Sequence, residues 1–209
     1  MQAGETPNLS IDHDLHKMRQ RFIAINKARM LRVSDCLNSL QQDFLKLLPL
    51  LFHTNHPLLP GYISHTTPSG LYGYKPSAQA IRLAHKRAKS FSYDERAARK
   101  REIYGLYMMG SSGTIAYTDD SDFDIWVCHK PGMETQRITD LCRKAEQIEH
   151  WAEELGLEVH FFILNPDDFR QGQNQTLSKE SSGSTQHYLL LDEFIVPAWS
   201  WRDRPPSGG

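Results

Sequence analysis

The sequence predicts an α+β domain: a mixed sheet with flanking helices, preceded by a helical N-terminal segment. Three observations predict it. Two short runs of strand character, over 102–109 and 122–128, are separated by a loop rich in Gly, Ser, Thr and Asp. A long amphipathic run over 134–155 comes next, and a further strand-like run over 157–164 follows it. Strand, loop, strand, helix, strand is the order of helices packed on a mixed sheet.

Each element has its own reason. Residues 1–11 are polar, contain Gly4 and Pro7, and read as a disordered tail. From Leu15 to Leu48 apolar residues such as Phe22, Ile25, Ala28, Leu31, Leu37 and Leu40 recur at threes and fours, which is helical spacing. Ser34-Asp35 is a candidate break into two helices, and Pro49 ends the pattern or opens a short further turn. Residues 53–80 carry Pro57, Pro60, Pro68 and Pro76 with several glycines, so they read as irregular. Interleaved tyrosines and leucines make that segment ordered rather than loose. Residues 79–101 form a basic helical stretch, with Arg82, His85, Lys86, Arg87, Lys89, Arg96, Arg99, Lys100 and Arg101. A solvated face is the plain reading; the alternative is that one or two of these reach a phosphate ligand next door.

Gly105 weakens the 102–109 strand but does not remove it. In the helix over 134–155, Ile138, Leu141, Ala145, Ile148, Trp151, Ala152 and Leu155 make one apolar stripe. Gly156 then suits the position just past a helix C-terminus. The boundaries that follow are a tail over 1–11, a helical segment with a proline-rich loop over 12–101, and a core over 102–194.

Composition narrows the function. A net charge of −1 argues against a general nucleic-acid binder, which needs a basic surplus, and favours a small-molecule enzyme. Cys36, Cys128 and Cys142 lack metal-like spacing and read as free thiols of a reducing cytoplasm. No run approaches the ~18 apolar residues of a membrane span, so the expectation is a soluble cytoplasmic chain.

The chemistry lies in Met109-Gly110-Ser111 and Ser121-Asp122-Phe123-Asp124-Ile125-Trp126. In a strand, side chains alternate faces, so Asp122 and Asp124 share one face while Phe123 and Ile125 take the other. Paired carboxylates suit magnesium, which takes hard oxygen ligands and fills its shell with phosphates and water. The Gly110-Ser111 turn offers a backbone that a phosphate can approach, plus a hydroxyl. This is the layout of a nucleotidyltransferase site. A two-metal site also wants a third acid. Glu158, between Leu157 and Val159 after the long helix, is the first choice. Asp167 and Asp168 follow Pro166 and look like a helix start. In the 181–187 segment, Ser184 or Thr185 is a helix cap or a phosphate contact. Cys128-His129 lacks the partners of a nucleophilic site. His53 and His56 read as loop anchors rather than zinc ligands.

Longer motifs are more specific. Tyr-x-Met-Gly-Ser (107–111), Ser-Asp-x-Asp-Ile-Trp-Val-Cys-His (121–129), Trp-Ala-x-x-Leu-Gly-x-Glu-Val-x-Phe-Phe (151–162) and Gly-Ser-Thr-Gln-His-x-Leu-Leu-Leu-Asp-Glu-Phe (183–194) resemble the class I adenylate cyclases of gamma-proteobacteria. Leu-Leu-Pro-x-Leu-Phe-His-x-Asn-His-Pro-Leu-x-Pro-Gly-Tyr (47–62) resembles the same family. The resemblance implies a polymerase-β-like nucleotidyltransferase core that converts ATP to 3′,5′-cyclic AMP and pyrophosphate with two Mg2+ ions, Mn2+ being a substitute. Asp122 and Asp124 would be metal ligands. Gly110 and Ser111 would hold the triphosphate, with Ser121 and Trp126 in the same site. Glu158 rests on fold logic alone. Members of the family are several times longer, and a sugar-transport regulatory protein is the partner expected of their C-terminal half.

The end of the chain departs from the family, which continues after Glu-Phe with a segment like Tyr-Arg-Thr-x-x-x-Leu-Ala-Gly. Here the text is Ile195-Val196-Pro197-Ala198-Trp199-Ser200-Trp201. Codons ATC GTA CCG GCC TGG TCC TGG CGG GA, read one base earlier after a T, give Tyr-Arg-Thr-Gly-Leu-Val-Leu-Ala-Gly. Residues 195–209 are therefore expected to be a frameshifted, non-native tail.

Overall fold

The computed structural model describes residues 17, 20, 21, 24, 28, 30–95, 97–108, 122–165 and 199–200. Residues 30–36 are helical, and the chain breaks at Leu37-Asn38, slightly past the expected Ser34-Asp35. Asn38 is the reason. Its Oδ1 accepts from the amides of Leu40 and Gln41 at 3.0 and 3.1 Å, while Gln41 Oε1 accepts from the Asn38 amide at 3.1 Å. This reciprocal capping box starts α1, Ser39–His53.

Pro49 does not end this helix, contrary to expectation; α1 runs through it to His53. A proline removes one backbone donor and crowds the preceding turn, at a cost of about 3 kcal/mol. Leu45, Leu47, Leu48, Leu50, Leu51 and Phe52 are all buried around it. At roughly 1.5–3 kcal/mol per buried side chain, their packing wins. Thr54 stops the helix: its amide and Oγ1 both donate to the Leu50 carbonyl, at 2.9 and 2.8 Å.

The basic stretch is helical only over α2, Ala78–Arg87, capped by Ser77 Oγ, with a 3-10 turn at Ala97–Lys100. Expectation had it helical to residue 101. Phe91 is buried and Tyr93 Oη meets His53 Nε2 at 3.1 Å, so the chain after Ala88 is drawn across the core instead. Arg87 lies over the Trp151 ring, 4.2 Å from its centroid, and so helps cover the core.

The sheet is built from β1 (Ile103–Met108), β2 (Phe123–His129) and β3 (Val159–Leu164). β1 and β2 are antiparallel with an irregularity between Ile103 and Gly105. β2 and β3 are parallel, joined by α3, Thr135–Glu154. A two-residue strand β4, Trp199–Ser200, pairs with Met108 and Tyr107 on the far edge, giving the order β3-β2-β1-β4. β2 is thus interior. β4 falls within the segment expected to be a non-native tail, and the rest of that tail lies outside the described residues.

α3 closes as a Schellman motif: the Gly156 amide donates to Glu153 and the Leu157 amide to Ala152, at 2.9 and 3.0 Å. One apolar cluster joins α1, α2, α3 and one face of the sheet. Phe44 packs on Trp151 at 4.9 Å between centroids, and Phe52 on Phe161 at 5.3 Å. The segment between α1 and α2 is ordered, as expected. Ile103 donates to Gly70 O and receives Tyr72 N–H, while His53 Nδ1 accepts from the Leu71 amide at 3.0 Å. His56 Nδ1 accepts from the Leu58 amide, so both histidines do serve as loop anchors. Among the described residues, no helix is long and apolar enough to cross a membrane.

Candidate active site

Strand alternation splits the sheet into two chemistries. Phe123, Ile125 and Val127 of β2, with Val159, Phe161 and Ile163 of β3, face the helices and belong to the main core. Asp124 and Trp126 of β2 and His160 and Phe162 of β3 take the other face. The register sets Asp124 opposite His160 and Trp126 opposite Phe162. Asp122 and Glu158 stand just ahead of their strands, two residues before Asp124 and His160. The Phe123 amide donates to the Glu158 carbonyl at 2.9 Å and ties the two strand starts together.

This second face has a polar end and an apolar end. Asp122 is exposed and Asp124 half-buried. Beside them His160 Nε2 lies 3.3 Å from Glu158 Oε1, with side-chain exposures of 49% and 68%. Further along, Trp126, Cys128 and Leu164 are buried, with Tyr104, Tyr107 and Phe162 packed against them. Trp126, expected in the site, is thus part of the apolar floor next to the acids and only 2% exposed.

Gly110, Ser111, Ser121, Ser184 and Thr185 lie outside the described residues. The topology does fix where the segment that carries Gly110, Ser111 and Ser121 attaches. β1 ends at Met108, paired with Ile125, one residue from Asp124, so the chain leaves the sheet beside the acids. Sequence reasoning missed His160. The available signal was its i+2 spacing from Glu158, which puts both on one face if the strand exists.

The donor chemistry can be tested against magnesium. Two carboxylates, Asp122 just ahead of β2 and Asp124 within it, are the number of protein ligands such an ion takes when phosphates and water supply the rest. Among the described residues no group of three His, Cys, Asp or Glu converges on a single point. The pair fits an ion that arrives with a nucleotide better than a permanently caged one.

The class defined so far is an α+β domain with a carboxylate, Asp124, on its interior strand's face away from the helices and a second, Asp122, just ahead of that strand. The family described as adenylate cyclase NT domain matches residues 14–197, and the chain belongs to that family. It is 36% identical over 186 residues to the adenylate cyclase of Escherichia coli K12, covering 88% of this chain and 22% of that protein. The adenylate cyclases of Salmonella typhimurium and Yersinia pestis are each 37% identical over the same lengths. The chain therefore spans about a fifth of the length of the curated relatives it matches. No solved structure matches it.

Proposed function

We propose that this chain is the nucleotide-handling part of an adenylate cyclase, with a polymerase-β-like nucleotidyltransferase core that binds ATP with magnesium and forms 3′,5′-cyclic AMP and pyrophosphate. The observation that carries the reading is the pair Asp122 and Asp124 at the start of the interior strand of the sheet, in a chain of this family.

Asp122 and Asp124 are the residues that would hold the metal; Glu158, expected as a third acid, does not converge with them into a group of three among the described residues. The chemistry that bound metal would supply there is acidification of the ribose 3′-hydroxyl and neutralisation of charge on the leaving pyrophosphate. Nucleophile and electrophile belong to one ATP, so the protein's work is conformational. It must fold the nucleotide until O3′ stands in line with the bond from the α-phosphorus to pyrophosphate. The O3′–P bond forms, the P–O bond to pyrophosphate breaks, and the hydroxyl proton leaves to solvent. No protein nucleophile is needed. The rigid part of this arrangement is β2, clamped on both sides by β1 and β3.

The test is incubation of the purified chain with ATP and Mg2+ or Mn2+, beside Asp122→Asn. Cyclic AMP formation and Mn2+·ATP binding are both expected, and the variant should lose at least about 100-fold of each, since one charged ligand is gone. Transfer of AMP to another acceptor, with no cyclic product, would replace this reading with another nucleotidyltransferase. Binding without product would reduce the isolated chain to a nucleotide-binding part.

A further inference from the structure

We propose that the exposed face of α2 and the turn at 57–60 form a docking surface for an anionic phospholipid membrane. The cations of α2 meet the headgroups, and Leu58 enters the interface beneath them. This surface lies on the helix side of the sheet, away from the face that carries Asp124.

Charge is unevenly distributed along the chain. It holds 25 Asp and Glu residues in 209, yet none falls between Asp43 and Asp94. The same stretch supplies Lys75, Arg82, Lys86, Arg87 and Lys89, all exposed. A merely solvated surface intersperses both signs; here one sign is kept apart in a chain whose net charge is only −1. The helix then sorts these cations. Ala80 and Ala84 are buried, while Arg82 and Lys86, four residues apart, lie on the opposite face, and Lys89 follows just past the helix end. Arg87 does not belong to the set. It lies over the Trp151 ring, with Glu154 of α3 as its opposing charge.

An apolar feature adjoins this face. The His56 ring meets the Phe91 ring at 5.4 Å between centroids, which sets the 57–60 turn beside the segment that follows α2. In that turn Leu59 is buried and Leu58 is 62% exposed. The exposure is built in. The Leu58 amide donates to His56 Nδ1 at 3.2 Å, the Leu59 amide donates to the His56 carbonyl at 3.0 Å, and Pro57 and Pro60 stiffen the flanks. One exposed leucine means little alone. Beside a row of cations it completes the pair of contacts that a membrane surface rewards, charge at the headgroups and an apolar side chain just below. An acidic peptide would need a groove or a sheet edge to hold its backbone, whereas the outward face of a helix is convex.

The test is co-sedimentation of the full chain with vesicles of phosphatidylcholine containing about one quarter phosphatidylglycerol, beside vesicles of phosphatidylcholine alone. Urea unfolding confirms that each variant folds. Binding is expected to the anionic vesicles only, and it should weaken at least about 10-fold between about 0.1 and 0.5 M salt. At about fivefold per cation, the triple variant Arg82→Gln, Lys86→Gln, Lys89→Gln should lose about 100-fold. Leu58→Ser, which leaves the charge unchanged, should lose about 10-fold. The control Lys130→Gln, Arg143→Gln removes two exposed cations elsewhere and should stay within about threefold of wild type. Absence of binding to the anionic vesicles, or a triple variant that loses no more than the control, overturns the proposal. Wild-type binding by Leu58→Ser overturns it too; if a polyglutamate peptide then competes the vesicles away, the occupant is an acidic protein segment instead.

Discussion

Position 61 carries no side chain because two constraints meet there. Its φ is +84°, and a Cβ would lie 2.9 Å from Lys144 Cγ and 3.0 Å from Ile148 Cδ1. The first constraint costs an L-residue roughly 1–2 kcal/mol, and the second forces buried side chains of α3 to shift, at about 1–3 kcal/mol. Gly61→Ala should therefore lower stability by about 2–4 kcal/mol in urea unfolding. Gly132 provides the control: φ is +70°, with nothing within 4 Å of a built Cβ. Gly132→Ala should lose only about 1 kcal/mol, and equal losses at both positions would mean that packing against Lys144 is not what holds the loop. Asp124's face was legible at this scale because alternation is local: it is the polar position between Phe123 and Ile125 of the core. His160 was not. Its meaning comes from standing opposite Asp124, and that register is a long-range fact.

At the scale of elements, the signals with local causes read well. The 134–155 helix is observed as Thr135–Glu154, its C-terminal glycine in place, because stripe and cap both lie within the segment itself. The strand runs fall within one or two residues of their expected ends. The misreadings were contests that the sequence does not display. Pro49 lost to the burial of its neighbours, and the end of the basic helix was set by Phe91 and Tyr93 reaching across to α1. The start of α1 depends on Asn38, whose side chain satisfies two amides of the first turn. Asn38→Ala should lower the urea-derived stability by about 1 kcal/mol, and Asn38→Asp should restore most of it. No loss in the alanine variant would show that burial alone starts this helix. Gln41 adds a further tie, donating to the carbonyls of Leu155 and Gly156 at 3.1 and 3.2 Å, so one capping residue also braces the end of α3.

At the scale of the whole molecule, helices and sheet share one core, and two buried titratable groups join its parts. Lys144 of α3 is 1% exposed and donates to the Thr54 carbonyl at 3.0 Å, with Glu102 as the charge that opposes its neutralisation. Burial pushes its pKa down to about 7 from 10.5. His53 of α1 links Leu71 and Tyr93, and burial lowers its pKa to about 4 from 6.5. The signs follow from proton counting. Between pH 4 and 6.5 the unfolded chain binds a proton at His53 that the folded chain refuses, so stability falls as pH drops through that window. Between about pH 7 and 10.5 the unfolded chain holds a proton on Lys144 that the folded chain has released, so stability climbs as pH rises. Most domains peak in stability between about pH 5 and 8; this one should still be gaining on the alkaline side of neutrality. Urea midpoints measured from pH 5 to 9.5 should rise across the range. Lys144→Met, close in volume and without a charge to bury, should flatten the rise above pH 7 while leaving the acid limb intact. An alkaline rise that survives in Lys144→Met would assign it to other groups and leave Lys144 charged in the core, where Glu102 and the Thr54 carbonyl would have to offset its burial.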